Sequence, residues 1–588
     1  MNKILAISAI ALVGAAFTSC DDFLDDNRYP LTSIVDKPDY WNSASNVQLQ
    51  LDRNYKIYPG YGSGNSYGWF LFKTLSDDQV GSSFANWAYP TIPSTSDDWD
   101  YSNIRGANYV INNVPGSTLS NADKANFWGI ARLIRATEYY RLVRMYGDVV
   151  WENYVVDPSD PILYEGRTDR DIVMDSVYED LKFAQQTIST ESAKLAWSRD
   201  LATATLSEVA LYEGTFCKYR NQADNGKAAD PARAKKYLEI SAAASEALLG
   251  KYGFCNDYHS IYNSLWAEQD SPVDPTQKIT GLSDNPELIF GRRYDSVNGR
   301  HSTISYTASS TTTSGMSLDA FKAFLFLDGK PMSQHPESTL EGVATTIPNG
   351  EEDLPALSIA NELAVRDARL SVITDPYIYY KGMEWNRAGC VGLNSSSGFG
   401  IYKFDNVLLP VNDRTNAANN YTSAPIYWTS YIACNYAEAK TELDAFDQAA
   451  FDKSLKHLYQ RAGLTTITGP AAMAAINDPA NNMGVSSLLW EVRRCRRCEL
   501  MFDNWIRYWD LIRWHQLELL DNTKHPEVLM GACVKNAPVQ PTTVQVTNNF
   551  INAGTGVSQR KYAAKYYLYP IPSNQRDLNP QLGQNPGW

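Results

Sequence analysis

The chain has 588 residues, with 52 Lys+Arg against 66 Asp+Glu and a formal net charge of −14. That balance disfavours nucleic acid and anionic lipid as principal partners, while 44% hydrophobic content is ample for a large soluble core. Aromatic residues make up 12%, with 37 Tyr and 15 Trp, more than a core alone requires. Rings with an apolar face and a polar edge serve at carbohydrate sites and interfaces.

The first element is a targeting segment. Lys3 supplies a positive charge, and the 14-residue apolar run Ile4 to Phe17 is too short to span a bilayer. It ends in Phe17-Thr18-Ser19-Cys20, which resembles a lipobox with Phe17 where Leu is more usual. Cleavage before Cys20 would leave its thiol to be lipidated, and several acyl chains on one residue anchor stably. The acidic switch Asp21-Asp22-Phe23-Leu24-Asp25-Asp26 sets this apart from an ordinary signal peptide with an incidental Cys. Residues 1–19 are therefore read as signal peptide and 20–40 as lipidated Cys and tether.

A first helix is expected near Ser45–Tyr55, followed by a loop-rich, aromatic-dense stretch holding Trp69, Phe70, Trp87, Tyr89, Trp99 and Tyr101. Apolar residues at helical spacing then predict a helix over Asp123–Tyr146, ended by Gly147. A second carries the capping box Thr168-x-x-Asp171; a third covers Ala202–Tyr219, with small residues Ala210 and Gly214; a fourth has Asp230 as N-cap, Pro231 at N1 and closes at Gly250. Such hairpins look like degenerate tetratricopeptide repeats, and they define a helical region 41–254. From 255 to 425 short apolar runs (Glu287–Gly291, Ala323–Leu327) lie among Gly/Ser/Thr stretches, a loop-rich pattern with a few small strands. Helical character returns in 426–588, where Phe451, Leu455, Leu458 and Ala462 form one face ending at Gly463.

The most telling stretch is Leu488–His515, LLWEVRRCRRCELMFDNWIRYWDLIRWH, with six arginines, four acids and four tryptophans. Leu488, Val492, Cys495, Glu499 and Phe502 recur at helical steps, which puts Glu499 on the apolar stripe. A carboxylate there is costly unless paired, and Arg496 one turn back is a ready partner. Basic residues among aromatics can mark a nucleic-acid surface; the near balance of signs instead favours an ion-pair network around a helix packed on both sides. Cys495-Arg-Arg-Cys498 matches CxxC, but inside a predicted helix and with no second pair or paired His for zinc. Without Cys20, seven cysteines remain, an odd number that gives no disulfide framework.

RRCRRCELMFDNWIRYWDLIRW resembles the signature of the SusD/RagB family. RATEYYRLVRMYGDVVW, Asp328-Gly329-Lys330-Pro331, Arg366-Asp367-Ala368-Arg369-Leu370, Tyr402-Lys403-Phe404, Tyr436-Ala437-Glu438-Ala439 and the closing LYPIPSNQRDLNPQLGQNPGW match further family segments. Departures are Val150 and Ala368 in place of Pro, and Trp588 in place of Tyr. The resemblance implies a mainly α, SusD-like fold with tetratricopeptide-like hairpins and a loop-rich second half. It implies a non-enzymatic, surface-exposed outer-membrane lipoprotein that captures oligo- or polysaccharide as the lid of a SusC-like TonB-dependent transporter. The acidic stretch behind Cys20 looks like that family's surface-export tag.

No catalytic constellation emerges from the residues. Gly64-Asn65-Ser66-Tyr67-Gly68 spells a nucleophile elbow without the strand and helix it needs, and the six histidines show no HExxH pairing. Asp97-Asp98-x-Asp100 does not by itself define a calcium site, so neither cofactor nor metal is expected. A sugar site needs flat rings flanked by polar groups, which nominates Trp69, Trp87, Tyr89, Trp99, Arg369, Trp385 and Tyr402 as ligand-binding residues. Two alternatives stay open: the same lid role with peptide ligands, and a surface glycoside hydrolase with carboxylates about 5–10 Å apart.

Overall fold

The computed structural model describes residues 38–64, 76–81, 87–307, 315–349, 352–380, 383, 385–387, 390–393, 395–542, 544–554 and 560–588, with 385–387 and 390–393 described by backbone only. The leader, Cys20, the tether and most of the elbow-like 64–68 segment lie outside these residues. Among the described residues no helix is long and apolar enough to cross a membrane.

Six principal helices build the first half: α1 (Ala44–Asp52), α2 (Ser102–Asn113), α3 (Asn121–Tyr146), α4 (Arg170–Thr187), α5 (Arg199–Tyr219) and α6 (Pro231–Leu249). Their ends are set by local chemistry. Ser120 accepts from the Asp123 amide to start α3, and Gly147 at φ +72° closes it. Asp230 accepts from the Arg233 amide at 2.9 Å ahead of Pro231. The expected Thr168 cap of α4 is displaced by one residue: Thr168 forms an isolated β-bridge with Val149, and Asp169 takes the Asp171 amide at 2.8 Å.

Successive helices pack as hairpins, and α5 crosses α6 closely at a glycine. A Cβ on Gly214 would lie 2.8 Å from Leu238 Cγ, so only glycine lets the backbones approach this closely. Buried hydroxyls complete the seam, with Ser207 Oγ 2.8 Å from Ser245 Oγ and Ser241 donating to the Ser207 carbonyl at 2.8 Å. Three more helices follow in the C-terminal part: α7 (Thr429–Glu442), α8 (Ser487–Glu499) and α9 (Ile506–Arg513).

The middle of the chain carries short antiparallel strands. Leu288–Arg292 pairs with Ala424–Trp428, and the hairpin Val343–Asn349/Glu352–Ser358 extends to Tyr377–Ile378. Of the run Ala323–Leu327, only Ala323 is regular, as the last residue of the helix Leu318–Ala323. The single face expected from Phe451 to Ala462 is broken in two: Gln448–Lys453 and Leu455–Arg461 meet at Ser454 (φ −124°, ψ −87°). One hydrophobic cluster nevertheless runs from Trp41 to Leu582, so the helical halves and the loop-rich middle share a core.

Candidate functional site

The arginine-rich stretch lies inside this core. The chain leaves α8 and turns through left-handed Phe502, Asn504 and Trp505 before entering α9. Arg493 pairs with Glu442 at 2.9 Å, Arg494 with Glu491 and Asp478, and Arg496 with Asp510 at 2.8 Å. Arg497 reaches Asp78 and Asp319, Arg507 grips Asp77 through two bonds of 2.8 and 2.6 Å, and Arg513 grips Glu438 at 2.5 and 2.7 Å. None of the six side chains is more than 11% exposed, which removes any reading of them as a phosphate-binding surface.

Glu499 is paired, but not with Arg496. Arg369 donates to it at 2.9 Å and Arg461 reaches its other oxygen, while Arg461 also meets Glu287 at 2.6 Å. Burial pushes the Glu499 carboxyl up, and the two guanidiniums outweigh it, holding the group below its ordinary value. Arg369 also grips Asp367 through Nε and Nη2. At 2% exposure, with its donors turned to Asp367, Glu499 and the sulfur of Cys495, Arg369 is placed in the hub and not beside surface aromatics. Tyr402 is likewise interior, 1% exposed, its hydroxyl against that of Tyr379. The cysteines whose side chains are described, Cys217, Cys255, Cys434, Cys495, Cys498 and Cys533, are all unbridged.

Trp87, Tyr89 and Trp99 lie together elsewhere in the fold. The side chains of Trp69 and Trp385 fall outside the described residues. Trp87 is buried, stacked on Tyr566 at 4.2 Å with its indole N–H donating to the Lys561 carbonyl at 2.9 Å. Tyr89 and Trp99 are half-buried. The Tyr89 hydroxyl donates to Asp98 at 2.7 Å, and its ring meets Tyr569 edge-on at 4.9 Å. Trp99 sits edge-on to Tyr146 at 4.8 Å and to Tyr101 at 5.7 Å. Tyr101 in turn meets Tyr139, which packs on Trp151 at 4.3 Å.

These contacts form a seam of aromatic rings between the 87–101 loop and the C-terminal tail. The tail contributes rings that the motif reading passed over: Tyr566 stands edge-on to Trp588 at 5.9 Å, and the Trp588 indole N–H is anchored on the carbonyls of Lys565 and Leu568. Their signal in the sequence was the density of aromatics in KYYLYP and the terminal Trp. Half-buried rings with polar edges can stack on the C–H faces of a sugar while neighbouring oxygens and amides meet its hydroxyls.

The seam's acids do not form a cation cluster. Asp98 accepts from Tyr89, and Asp100 accepts from the Ser102 amide and hydroxyl at 2.8 Å each. One group elsewhere brings three metal-ligand types together: Asp171, Glu213 and Cys217 have ligand atoms within 4.8 Å of one another. Arg170, Arg220 and Arg233 neutralise it, with Arg233 donating to Glu213 at 2.8 Å and Arg220 to Asp171 at 2.7 Å, which places guanidiniums where an ion would sit.

Fold and site together define a mainly helical protein built of paired hairpins, with an aromatic seam and a buried ion-pair hub. Residues 286–588, just over half of the chain, match the model of the SusD family, and the chain belongs to that family. A SusD-like protein of Formosa agariphila is 24% identical over 307 residues, covering 48% of this chain and 54% of that protein. A SusD-like protein of Bacteroides ovatus is 24% identical over 441 residues, covering 69% of this chain and 75% of that protein. The chain thus spans about half the length of the first of these relatives. Among solved structures, a SusD-like carbohydrate binding protein from Bacteroides fragilis superposes with a TM-score of 0.64 at 19% identity, covering 92% of this chain and 99% of that one. A laminarin binding SusD-like protein superposes at 0.50 with 17% identity, covering 92% and 99%. These likenesses establish the SusD-like fold.

Proposed function

We propose that the protein is a cell-surface lipoprotein of the outer membrane that binds oligo- or polysaccharide without cleaving it and serves as the lid of a SusC-like, TonB-dependent transporter. The observation that carries the binding role is the aromatic seam, with half-buried Tyr89 and Trp99 at its loop side and Tyr566 and Trp588 at its tail side. The names of the B. fragilis and laminarin-binding neighbours support a carbohydrate as the ligand class. In this reading Cys20 carries the lipid, and the tether behind it keeps the lid near its transporter, which raises its effective concentration during opening and closing.

The test is a calorimetric titration of residues 21–588 against oligosaccharides and oligopeptides, followed by product analysis. Saturable binding to one glycan class, weakened in Trp99→Ala and leaving the glycan intact, is the expected result. Peptide binding would replace the ligand, and released sugar would replace a capture role with a hydrolase. For the partner, deleting the transporter should abolish uptake while leaving the protein anchored; normal uptake without this protein would reject the lid.

A further inference from the structure

Beneath the signature helix α8 lies a cavity of about 500 Å³ that shares no lining residue with the aromatic seam. It falls within the size range of ligand-holding clefts, roughly 300–1,000 Å³. From its geometry we infer that it is a second, more enclosed sugar site, taking an uncharged saccharide of one or two rings. This rests on the reading of the protein as sugar-binding and adds to it a site separate from the one that meets the polymer.

One wall is apolar. Trp490 is half-buried, fixed by its indole N–H to Asp478 at 3.2 Å, and Met332 and Met483 are buried beside it. An aromatic ring and two thioethers suit the C–H face of a pyranose. Across from them the hub supplies donors. Arg507 uses Nε and Nη2 on Asp77, and Arg497 uses Nε on Asp78 and Nη2 on Asp319 and the Asp77 carbonyl. Among the described residues, Nη1 of each guanidinium makes no hydrogen bond, and neither atom is fully buried. These two donors are free to bond water in the cavity, and a ligand oxygen can take that water's place.

Acceptors face the same space. Asp319 and Glu527, which keep 29% and 37% side-chain exposure, and Glu337 line it. In all, six Lys or Arg and five Asp or Glu side chains border the cavity, so it offers interleaved donors and acceptors and little net field. That pattern matches hydroxyl groups, which donate and accept at once. A ligand carboxylate would face the five acids, and a cationic ligand the six bases.

The test uses residues 21–588 and a panel of neutral mono- and disaccharides with their uronic acid counterparts, read by saturation-transfer NMR and calorimetry. Ala480 is exposed at the rim, and its amide, not its side chain, bonds Asp478, so Ala480→Trp obstructs the entrance while leaving the hub in place. Glu337→Gln removes one rim acceptor charge. We expect a neutral mono- or disaccharide to bind, the uronate to bind about tenfold more weakly, and Ala480→Trp to cost at least about tenfold, with polymer binding through Trp99 retained. Polymer binding with no small-sugar binding, small-sugar binding untouched by Ala480→Trp, or a preference for the uronate would each overturn this inference alone. Binding of neither polymer nor small sugar would overturn the glycan reading with it.

Discussion

Glu438 offers the sharpest test of the buried hub. It is fully buried and accepts two bonds from Arg513 and one from the Trp514 indole, with Arg496 at 3.7 Å. Glu438→Gln leaves Asp510 as the one carboxylate within ion-pair distance of both Arg496 and Arg513, so one positive charge is left uncompensated. Removing one partner of a buried pair costs about 3–5 kcal/mol. For 588 residues, an unfolding entropy of ~2.1 cal/mol/K per residue gives ~1.2 kcal/mol/K, so the Tm should fall by ~2–4 °C. The exposed Lys456–Asp452 pair, with both side chains 45% exposed, provides the comparison: Asp452→Asn should leave the Tm nearly unchanged. Calorimetry over pH supplies a second arm. Burial raises the Glu438 carboxyl, but Arg513, Arg496 and Arg493 outweigh it and hold it well below its ordinary value. Its stabilisation is therefore complete above the unfolded carboxylate range and is lost as pH falls through the depressed value, so wild type and Glu438→Gln should converge in acid. Replacing both partners (Glu438→Met with Arg513→Leu) returns Asp510 to Arg496 alone and should recover much of the loss. A Glu438→Gln protein no less stable than Asp452→Asn, or a double variant worse than the single, would refute the charge-compensation argument.

The other predictions concern separate parts of the molecule. Trp99→Ala should weaken glycan binding about 5–30-fold, ~1–2 kcal/mol by calorimetric titration, with the Tm shifting by no more than a few degrees; unchanged affinity would move the ligand off the seam. Glu362 is raised to about 7 by burial, with Arg366 opposing the shift. Here the folded state holds the extra proton, so this site's stabilisation is present below the ordinary carboxylate value and declines toward pH 7. Glu362→Gln should remove that slope from urea-unfolding curves, and an unchanged slope would count against the assignment. Burial pushes the thiols of Cys217, Cys434, Cys495 and Cys498 up, so these four should resist alkylation in the native protein and react on unfolding; rapid labelling of Cys495 or Cys498 under native conditions would revive a redox reading of the CxxC.

Periodicity made the helices legible because caps and apolar faces are local: Asp230-Pro231, Gly147 and Gly250 mark their ends as read. What it could not supply was the far partner. Arg496 was the nearest cation to Glu499 along the helix, yet the partners are Arg461 and Arg369, 38 and 130 residues away. Arg369 shows the same limit from the other side. A guanidinium among polar and aromatic neighbours in sequence reads as a surface group, and only the distant Glu499 explains why it can be buried. Trp87 was readable as an aromatic of interest, but its stacking partner Tyr566 comes from the other end of the chain.

These distant pairings also connect the signature to the candidate ligand face. Arg507 holds Asp77, and Arg497 holds Asp78 and Asp319. Burial raises both aspartates; for Asp77 the coulombic pull of Arg497 and Arg507 outweighs it, so its carboxyl is held well below the ordinary range. Beside that anchor, strand Gln79–Val80 pairs with Gly315–Met316, and Ser396 donates to the Val80 carbonyl at 2.9 Å. The turn around Ser397 then meets Gly531, where a Cβ would collide with the Ser397 backbone. From the signature helix outward, a chain of buried charge, short strand and close backbone contact thus holds residues 77–80, which precede the 87–101 loop in the sequence. Aromatic rings recognise a ligand only if they are held in register with one another, because ordering loose loops on binding consumes affinity. Under the proposed glycan reading, Arg497 and Arg507 would act in this way, since they hold Asp77 and Asp78 in the core beside strand Gln79–Val80.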